Sequence, residues 1–527
     1  MNRMAVVWIA AALIALPIGA QVRYEDILEA PNENWLTFMG DYSANRHSPL
    51  KQINVSNADN LVPKWVYHVP EAASLSTYPI VYDGIMYITN SNEVHALDAV
   101  TGRTIWVYSR PDVELRRKNR GAAILGNRVY FVTADCHLVA VHRLTGAAIF
   151  DEPYADTKDG YFCTMAPVAI KDRLIVGVSG GDSGIRGFLA ALSAETGEQL
   201  WKLWTIPGND DFGADTWGPK TLPWGGAATW MPGSYDPELD WLFWPTGNPW
   251  PGFYGGDRPG DNLYSDSLIA VDLATGEMQW YFQFTPHDVW DWDAQEPPLL
   301  LDLEIDGQMR NVVVQANRNG FYYVLDRETG KFLRGNAFVD KLTWASGLDE
   351  NGRPVLIEGM VPSPDGRVVC PTVWGAANWM ADSYSPDTGF HYVMTMEACD
   401  LFTSSAREPE PKIGFAGTGA ERQPRLDGQF IIRAIDPATG RRAWEYPLTG
   451  PTASWAGTLS TAGGVLFSGD DDKHLIALDA RTGKYLWHFN VGQTIDASPI
   501  TWARNGKQYV TIVARADVFT FGLFEPL

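Results

Sequence analysis

The densest group of reactive side chains is Thr285-Pro286-His287-Asp288-Val289-Trp290-Asp291-Trp292-Asp293, with three carboxylates and two tryptophans in its last six residues. Side chains alternate along an extended segment, so Asp291 and Asp293 are expected to project to one side. Two carboxylates held together either share a proton or need a cation. An acidic surface loop has a similar composition, but the interleaved indoles argue for partial burial. Two further oxygen donors stand on tight turns: Asn248 in Thr246-Gly247-Asn248-Pro249-Trp250, and Asp182 in Ser179-Gly180-Gly181-Asp182-Ser183-Gly184. Alone, each reads as a plain turn. With the aspartate pair they form an oxygen-only donor set, which suits a hard cation such as Ca²⁺ and not zinc.

Other chemistries find less support. Gly177-Val178-Ser179-Gly180-Gly181 fits G-x-S-x-G, but a hydrolase elbow needs a strand-to-helix turn, and strands are expected on both sides. No glycine-rich strand-to-helix fingerprint for NAD occurs. The four cysteines, at 136, 163, 370 and 399, form no C-x-x-C, which removes zinc-ribbon and thioredoxin-type motifs. C-x-x-C-H is also absent, so no c-type haem is attached to this chain. Pairing Cys136 with Cys163 and Cys370 with Cys399 is preferred, although three connectivities stay open. Asp470-Asp471-Asp472 reads as a solvated turn.

The elements that must position these groups are short strands. The 527 residues are 45% hydrophobic and 20% charged, an ordinary globular mix with Trp 22, Gly 50 and Pro 34, suited to strands and turns. Lys+Arg 41 against Asp+Glu 63 gives −22, which argues against nucleic acid or an anionic membrane surface as a partner. Residues 1–20 read as a signal peptide; the alternative, a retained anchor, wants about 20 apolar residues. The rest, 21–527, carries a repeat. Ala96-Leu97-Asp98-Ala99-Val100-Thr101-Gly102 returns at 270–276 and 477–483, and more loosely around Thr145, Thr196, Thr329 and Thr439. Five residues after these threonines stand Trp106, Phe150, Trp201, Trp280, Arg334, Trp444 and Trp487. The unit reads as a strand, a D-x-x-T-G turn whose Asp bonds the turn backbone and whose Gly supplies positive φ, and a returning strand whose aromatic packs between neighbouring sheets. Gaps of 44, 51, 79, 54, 110 and 43 residues have the base period of a four-stranded propeller blade, with insertions. A second repeat matches residues 226–237 to 375–386 at eight of twelve positions. The stretches 79–88 and 126–132 read as further strands. Seven units plus one built from both chain ends, around 35–69 and 496–525, predict an all-β fold: a single eight-bladed β-propeller.

In their order, W-D-x-D (290–293), T-G-N-P (246–249), S-G-G-D (179–182), A-N-R-N-G (316–320) and W-A-G-T-L (455–459) carry a specific likeness. From Trp35 to the C-terminus the chain resembles the quinoprotein alcohol dehydrogenases, pyrroloquinoline quinone (PQQ) enzymes related to the methanol dehydrogenase large subunit. The resemblance implies that Asp291 is the catalytic base, with Asp182 and Asn248 as the other metal ligands. It implies that Trp230 stacks on the quinone and that Arg318 bonds its reactive carbonyls. Arg120, Thr164, Ser179, Gly180, Gly181, Asn378 and Trp455 fall at cofactor contacts. Asp293 adds a carboxylate that in the family often accompanies lanthanide use; Ca²⁺ is the expected cation, with a lanthanide as alternative.

There are departures from the family pattern. Glu114-Leu115 stands where the family often has an adjacent-cysteine disulfide over the cofactor. Ser76 replaces a glutamate, Ala228 a threonine, and Asp182 a longer glutamate. The implied reaction is periplasmic: metal-assisted hydride transfer from a small, primary alcohol to the quinone, giving the aldehyde, with electrons passing to a separate cytochrome c. No membrane span is expected in the mature chain, and a homodimer is compatible with the family. A PQQ sugar or polyol dehydrogenase and a non-catalytic envelope scaffold are the competing readings.

Overall fold

The structure is a computed structural model that describes residues 21–29, 32–111, 113, 115–406, 410–411, 426–450 and 454–526. The expected signal peptide, 1–20, and Glu114 lie outside these. Seven sheets follow one another along the chain, at 80–109, 123–153, 168–204, 234–283, 299–337, 383–447 and 458–490. The eighth takes its outer strand, Leu61–His68, from the other end of the chain and pairs it antiparallel with Asp517–Leu523. This register closes the ring and accounts for the missing eighth repeat. The all-β propeller expectation holds. The closing blade is narrower than expected, because His47–Ser48 pairs in parallel with Thr458–Thr461 of the seventh sheet. The stretch 79–88 is two strands, Ile80–Tyr82 and Ile85–Asn90, turned at Asp83-Gly84.

The D-x-x-T-G repeat explains how blades lock together. Asp98 Oδ1 accepts from Thr101 N at 2.8 Å and Thr101 Oγ1 at 2.9 Å, and Gly102 has φ +70°. In several blades an indole reaches the next blade's turn: Trp106 Nε1 donates to Arg143 O at 3.0 Å, Trp201 to Leu273 O at 2.9 Å, and Trp444 to Ala480 O at 3.1 Å. The turn glycine lies flat on that indole; a Cβ on Gly276 would come within 2.6 Å of Trp201. Arg334, in a tryptophan's place, keeps the link by donating to Ala438 O. Apolar middle strands are buried between adjoining sheets, and outer strands such as Thr104–Ser109 face solvent. Cys136–Cys163 and Cys370–Cys399 are the disulfides. Between the fifth and sixth blades, the hairpin Ala345–Leu348/Pro354–Leu356 and the strand Arg367–Val369 form an insertion. No helix among the described residues is long and apolar enough to cross a membrane.

Candidate active site

The loop after the fourth blade is shaped by Asp288. Its carboxylate accepts from Trp290 N at 2.8 Å and Trp292 N at 2.9 Å. Gathering both amides bends the chain, and Asp291 takes φ +68°. The segment is therefore not extended, which corrects the expectation for Asp291 and Asp293. Both acids nevertheless face one guanidinium: Arg318 lies 3.1 Å from Asp293 and 3.9 Å from Asp291. Trp290 and Trp292 stack at 4.9 Å and anchor the loop, Trp292 Nε1 donating to Thr372 O at 2.8 Å.

The other oxygen donors arrive on glycine-dependent turns. Gly180, at φ +114°, opens the one-turn 3₁₀ helix Gly181–Ser183 that carries Asp182. Asn248 follows the strand Trp241–Pro245; its amide N–H donates to Asp293 Oδ1, and its side chain partly offsets the effect of burial on Asp182. Gly247 is required for close approach, since a Cβ there would sit 2.6 Å from Asp293 Oδ1. Asp293 Oδ2 also accepts from Trp230 Nε1 at 3.1 Å. Asp293 thus ties the oxygen donors to the indole.

Two adjoining cavities share Asp182, Trp230 and Asp293. One, of about 490 Å³, is also lined by Asp291, Arg318, Asn378 and Trp455. The other, of about 280 Å³, is lined by Arg120, Thr164, Ser179, Gly180, Gly181 and Asn248. All the site residues expected from the sequence therefore meet in one continuous region. Thr164 and Ser179 hydroxyls are 3.0 Å apart, and Arg120 N donates to Thr164 O at 3.0 Å. Ser179 is followed by the 3₁₀ turn Gly181–Ser183 and the strand Phe188–Ser193, so the G-x-S-x-G match is not a nucleophile elbow.

Burial dominates the electrostatics. It raises the pKa of Asp182 to about 7, with Asp293's charge adding to the rise. Burial and then the charge of Asp182 push Asp291 far above the carboxylate range, and burial raises Asp293. Arg318 stays charged because Asp293 and Asp291 more than offset its burial. Carboxylates crowded out of water gain most from a cation. Among the described residues no three His, Cys, Asp or Glu side chains converge closely enough to hold an ion alone. The surroundings also fit a planar anion: the buried Nε atoms of Arg120 and Arg318, which line the two cavities, have no hydrogen-bond partner, and Trp230 offers a flat apolar face.

One part of this wall was not anticipated. The Arg120 guanidinium lies 4.7 Å from the Trp230 ring and 5.0 Å from that of Trp379, which stacks on Trp455 at 6.0 Å. The second internal repeat held the signal, because Trp379 occupies in 375–386 the place of Trp230 in 226–237. Arg117 and Lys118 beside Arg120 had no such mark, although they line the smaller cavity.

The family model described as PQQ glucose/ethanol/alcohol dehydrogenase, β-propeller domain, matches residues 35–335 and 447–510. The chain belongs to this PQQ dehydrogenase family. Its relatives include the quinoprotein alcohol dehydrogenase PedH of Pseudomonas putida, 36% identical over 96% of this chain and 90% of that one. The 1-butanol dehydrogenase (quinone) of Thauera butanivorans is 34% identical, covering 96% of this chain and 92% of its own. Among solved structures, quinohemoprotein alcohol dehydrogenase ADHIIG of Pseudomonas putida HK5 superposes with TM-score 0.88 at 32% identity, over 94% of this chain and 82% of that one. A europium-containing methanol dehydrogenase gives TM-score 0.85 at 27% identity, over 95% of this chain and all (100%) of its own.

Proposed function

We propose that the mature chain, 21–527, is a periplasmic PQQ-dependent alcohol dehydrogenase, freed of residues 1–20 on export. It oxidises a primary alcohol to the aldehyde and hands the electrons to a separate cytochrome c. The observation that carries this reading is that two adjoining cavities share Asp182, Asp293 and Trp230, with Asp291 and Arg318 lining one and Asn248 the other. Asp182, Asn248, Asp291 and Asp293 would hold Ca²⁺ or a trivalent lanthanide. Trp230, Arg120, Thr164, Ser179, Gly180, Gly181, Asn378 and Trp455 would hold the quinone. What these groups bring when bound is an acceptor for the carbinol hydride and a Lewis acid.

The protein's own part is proton handling, charge and exclusion of water. Asp291, ionised beside a cation, takes the hydroxyl proton of the alcohol. Arg318, held by Asp293 and by Val373 O at 2.7 Å, stays fixed where negative charge develops. The europium content of one structural neighbour and the extra carboxylate of Asp293 support a trivalent ion as well as Ca²⁺. The test is reconstitution with PQQ and Ca²⁺ or La³⁺, followed by dye reduction over primary alcohols, polyols and aldoses. Turnover of alcohols is expected; aldose-only turnover would make it a sugar dehydrogenase, and failure to retain PQQ would leave a scaffold.

A further inference from the structure

The smaller cavity is bordered by a strap, residues 115–120, that gathers positive charge in a chain of net charge −22. Arg116, Arg117, Lys118 and Arg120 crowd into five consecutive positions. Arg117, Lys118 and Arg120 line the cavity, whereas Arg116 does not. The strap is pinned at four points. Asn92 Nδ2 donates to Leu115 O at 3.0 Å, Arg117 N to Ser91 Oγ at 2.8 Å, Asn119 Nδ2 to Val132 O at 2.7 Å, and Arg120 N to Thr164 O at 3.0 Å. The charged ends are held far less. The Arg117 guanidinium lies 4.9 Å from the Phe162 ring and donates to Arg116 O at 3.1 Å, and neither contact supplies a negative charge. Lys118 Nζ lies 3.3 Å from Asp496 Oδ2, but that oxygen also accepts from Ser74 Oγ at 2.7 Å and the lysine side chain is 47% exposed, so the pair is weak. Arg120 is buried against Trp230 and Trp379 with its Nε unpartnered. The two carboxylates that line this cavity, Asp182 and Asp293, belong to the proposed cation site. Like charges held this close repel one another, and an anion entering the cavity relieves that repulsion.

We infer that Arg117 and Lys118 are a cationic clamp on this cavity, closing on the carboxylates of bound PQQ, so that capture and release of the cofactor follow ionic strength. The inference rests on the dehydrogenase reading and deepens it by naming residues that control cofactor exchange. PQQ is a planar polycarboxylate, and guanidinium and ammonium groups bond carboxylates through charge-assisted hydrogen bonds. Closure needs no movement of the pinned backbone, because the exposed arms of Arg117 and Lys118 reach the cavity by side-chain rotation alone. Charges at a solvent-filled mouth act over about 10 Å at 0.1 M salt and over less above it. Their grip therefore fades as salt is added, whereas stacking on Trp230 does not.

The experiment titrates the dialysed protein with PQQ in the presence of Ca²⁺ at about 20 and about 200 mM NaCl. Indole fluorescence reports binding, since Trp230 lines the cavity. Wild type should bind about fivefold or more weakly at the higher salt. Arg117→Gln and Lys118→Gln should each weaken binding about threefold to tenfold at low salt, and the double variant about thirtyfold. The double variant should also keep less than about half of the wild-type salt dependence. Arg116→Gln removes the same charge from the same strap outside the cavity, and should change Kd by less than about twofold. A double variant that binds PQQ within about twofold of wild type, or an Arg116→Gln loss as large as that of Arg117→Gln, would overturn the inference and leave the dehydrogenase reading intact. Should a glutamine variant fail to fold, the salt titration of wild type decides, and an affinity equal at both salt concentrations contradicts the clamp. Wild type that binds no PQQ in either condition sinks the dehydrogenase reading and the clamp with it.

Discussion

Asp291 and Asp293 stand two positions apart and have different attachments. Asp293 is bonded to Trp230, Arg318 and the Asn248 amide, whereas Asp291 has only the 3.9 Å approach of Arg318. Asp293 is tied into the wall by three donors; Asp291, without such ties, is the one placed to take a substrate proton. Asp291→Asn is therefore expected to fold and retain PQQ while losing turnover by 10³-fold or more, a loss typical of removing an essential proton acceptor. Absorbance of bound cofactor and steady-state rates check this, and substantial activity in the variant would overturn the assignment. The carboxylates, Asn248 and Arg318 were legible in the sequence because their motifs are local. The bend at Asp291 was not, because it depends on Asp288 accepting two backbone amides, a pattern that composition does not reveal.

The blade turns show how one sequence phrase can do two jobs. Each turn closes its own hairpin, and those at Gly102, Gly146, Gly276, Gly330 and Gly483 also present a bare glycine to the preceding blade's indole. Trp201→Ala removes the bond to Leu273 O and the packing on Gly276, and should cost about 3–5 kcal/mol, read by denaturant unfolding. The repeat made these seven turns visible in the sequence; the closing blade has no such turn and could only be inferred by counting. The insertion was illegible because it lacks periodicity. Its hairpin is tied to the loop carrying Phe253 by the paired bonds of Arg353 to Asp261, at 2.8 and 2.7 Å. Hydrogen bonding to Arg353 holds the Asp261 pKa below its ordinary value. A depressed carboxylate stabilises the fold above its unfolded pKa of about 3.9, and that contribution fades as pH falls through the folded value. Both partners are more than a third exposed, so Arg353→Ala should cost below about 1 kcal/mol at pH 7 and nothing measurable at pH 2. Urea titrations at the two pH values read this.

At the scale of the molecule, the ring closes through the pairing of 61–68 with 517–523, and two disulfides staple the walls of the central site. Cys163 precedes Thr164 of the smaller cavity, and Cys399 precedes Asp400 of the larger. Each closes a loop of sequence separation 27 or 29, for which chain entropy gives about 3.5 kcal/mol apiece. Reduction under native conditions should lower the melting temperature and loosen cofactor retention together; an unchanged melting temperature after confirmed reduction would contradict that coupling. The central claim is that Asp182, Asn248 and Asp291 grip one cation beside the quinone pocket. Metal analysis and cofactor absorbance of dialysed, reconstituted protein test it most directly. Wild type should retain one equivalent each of cation and PQQ, and a variant with alanine at all three positions should lose the cation. If that variant binds the metal as tightly as wild type, the site has been misassigned.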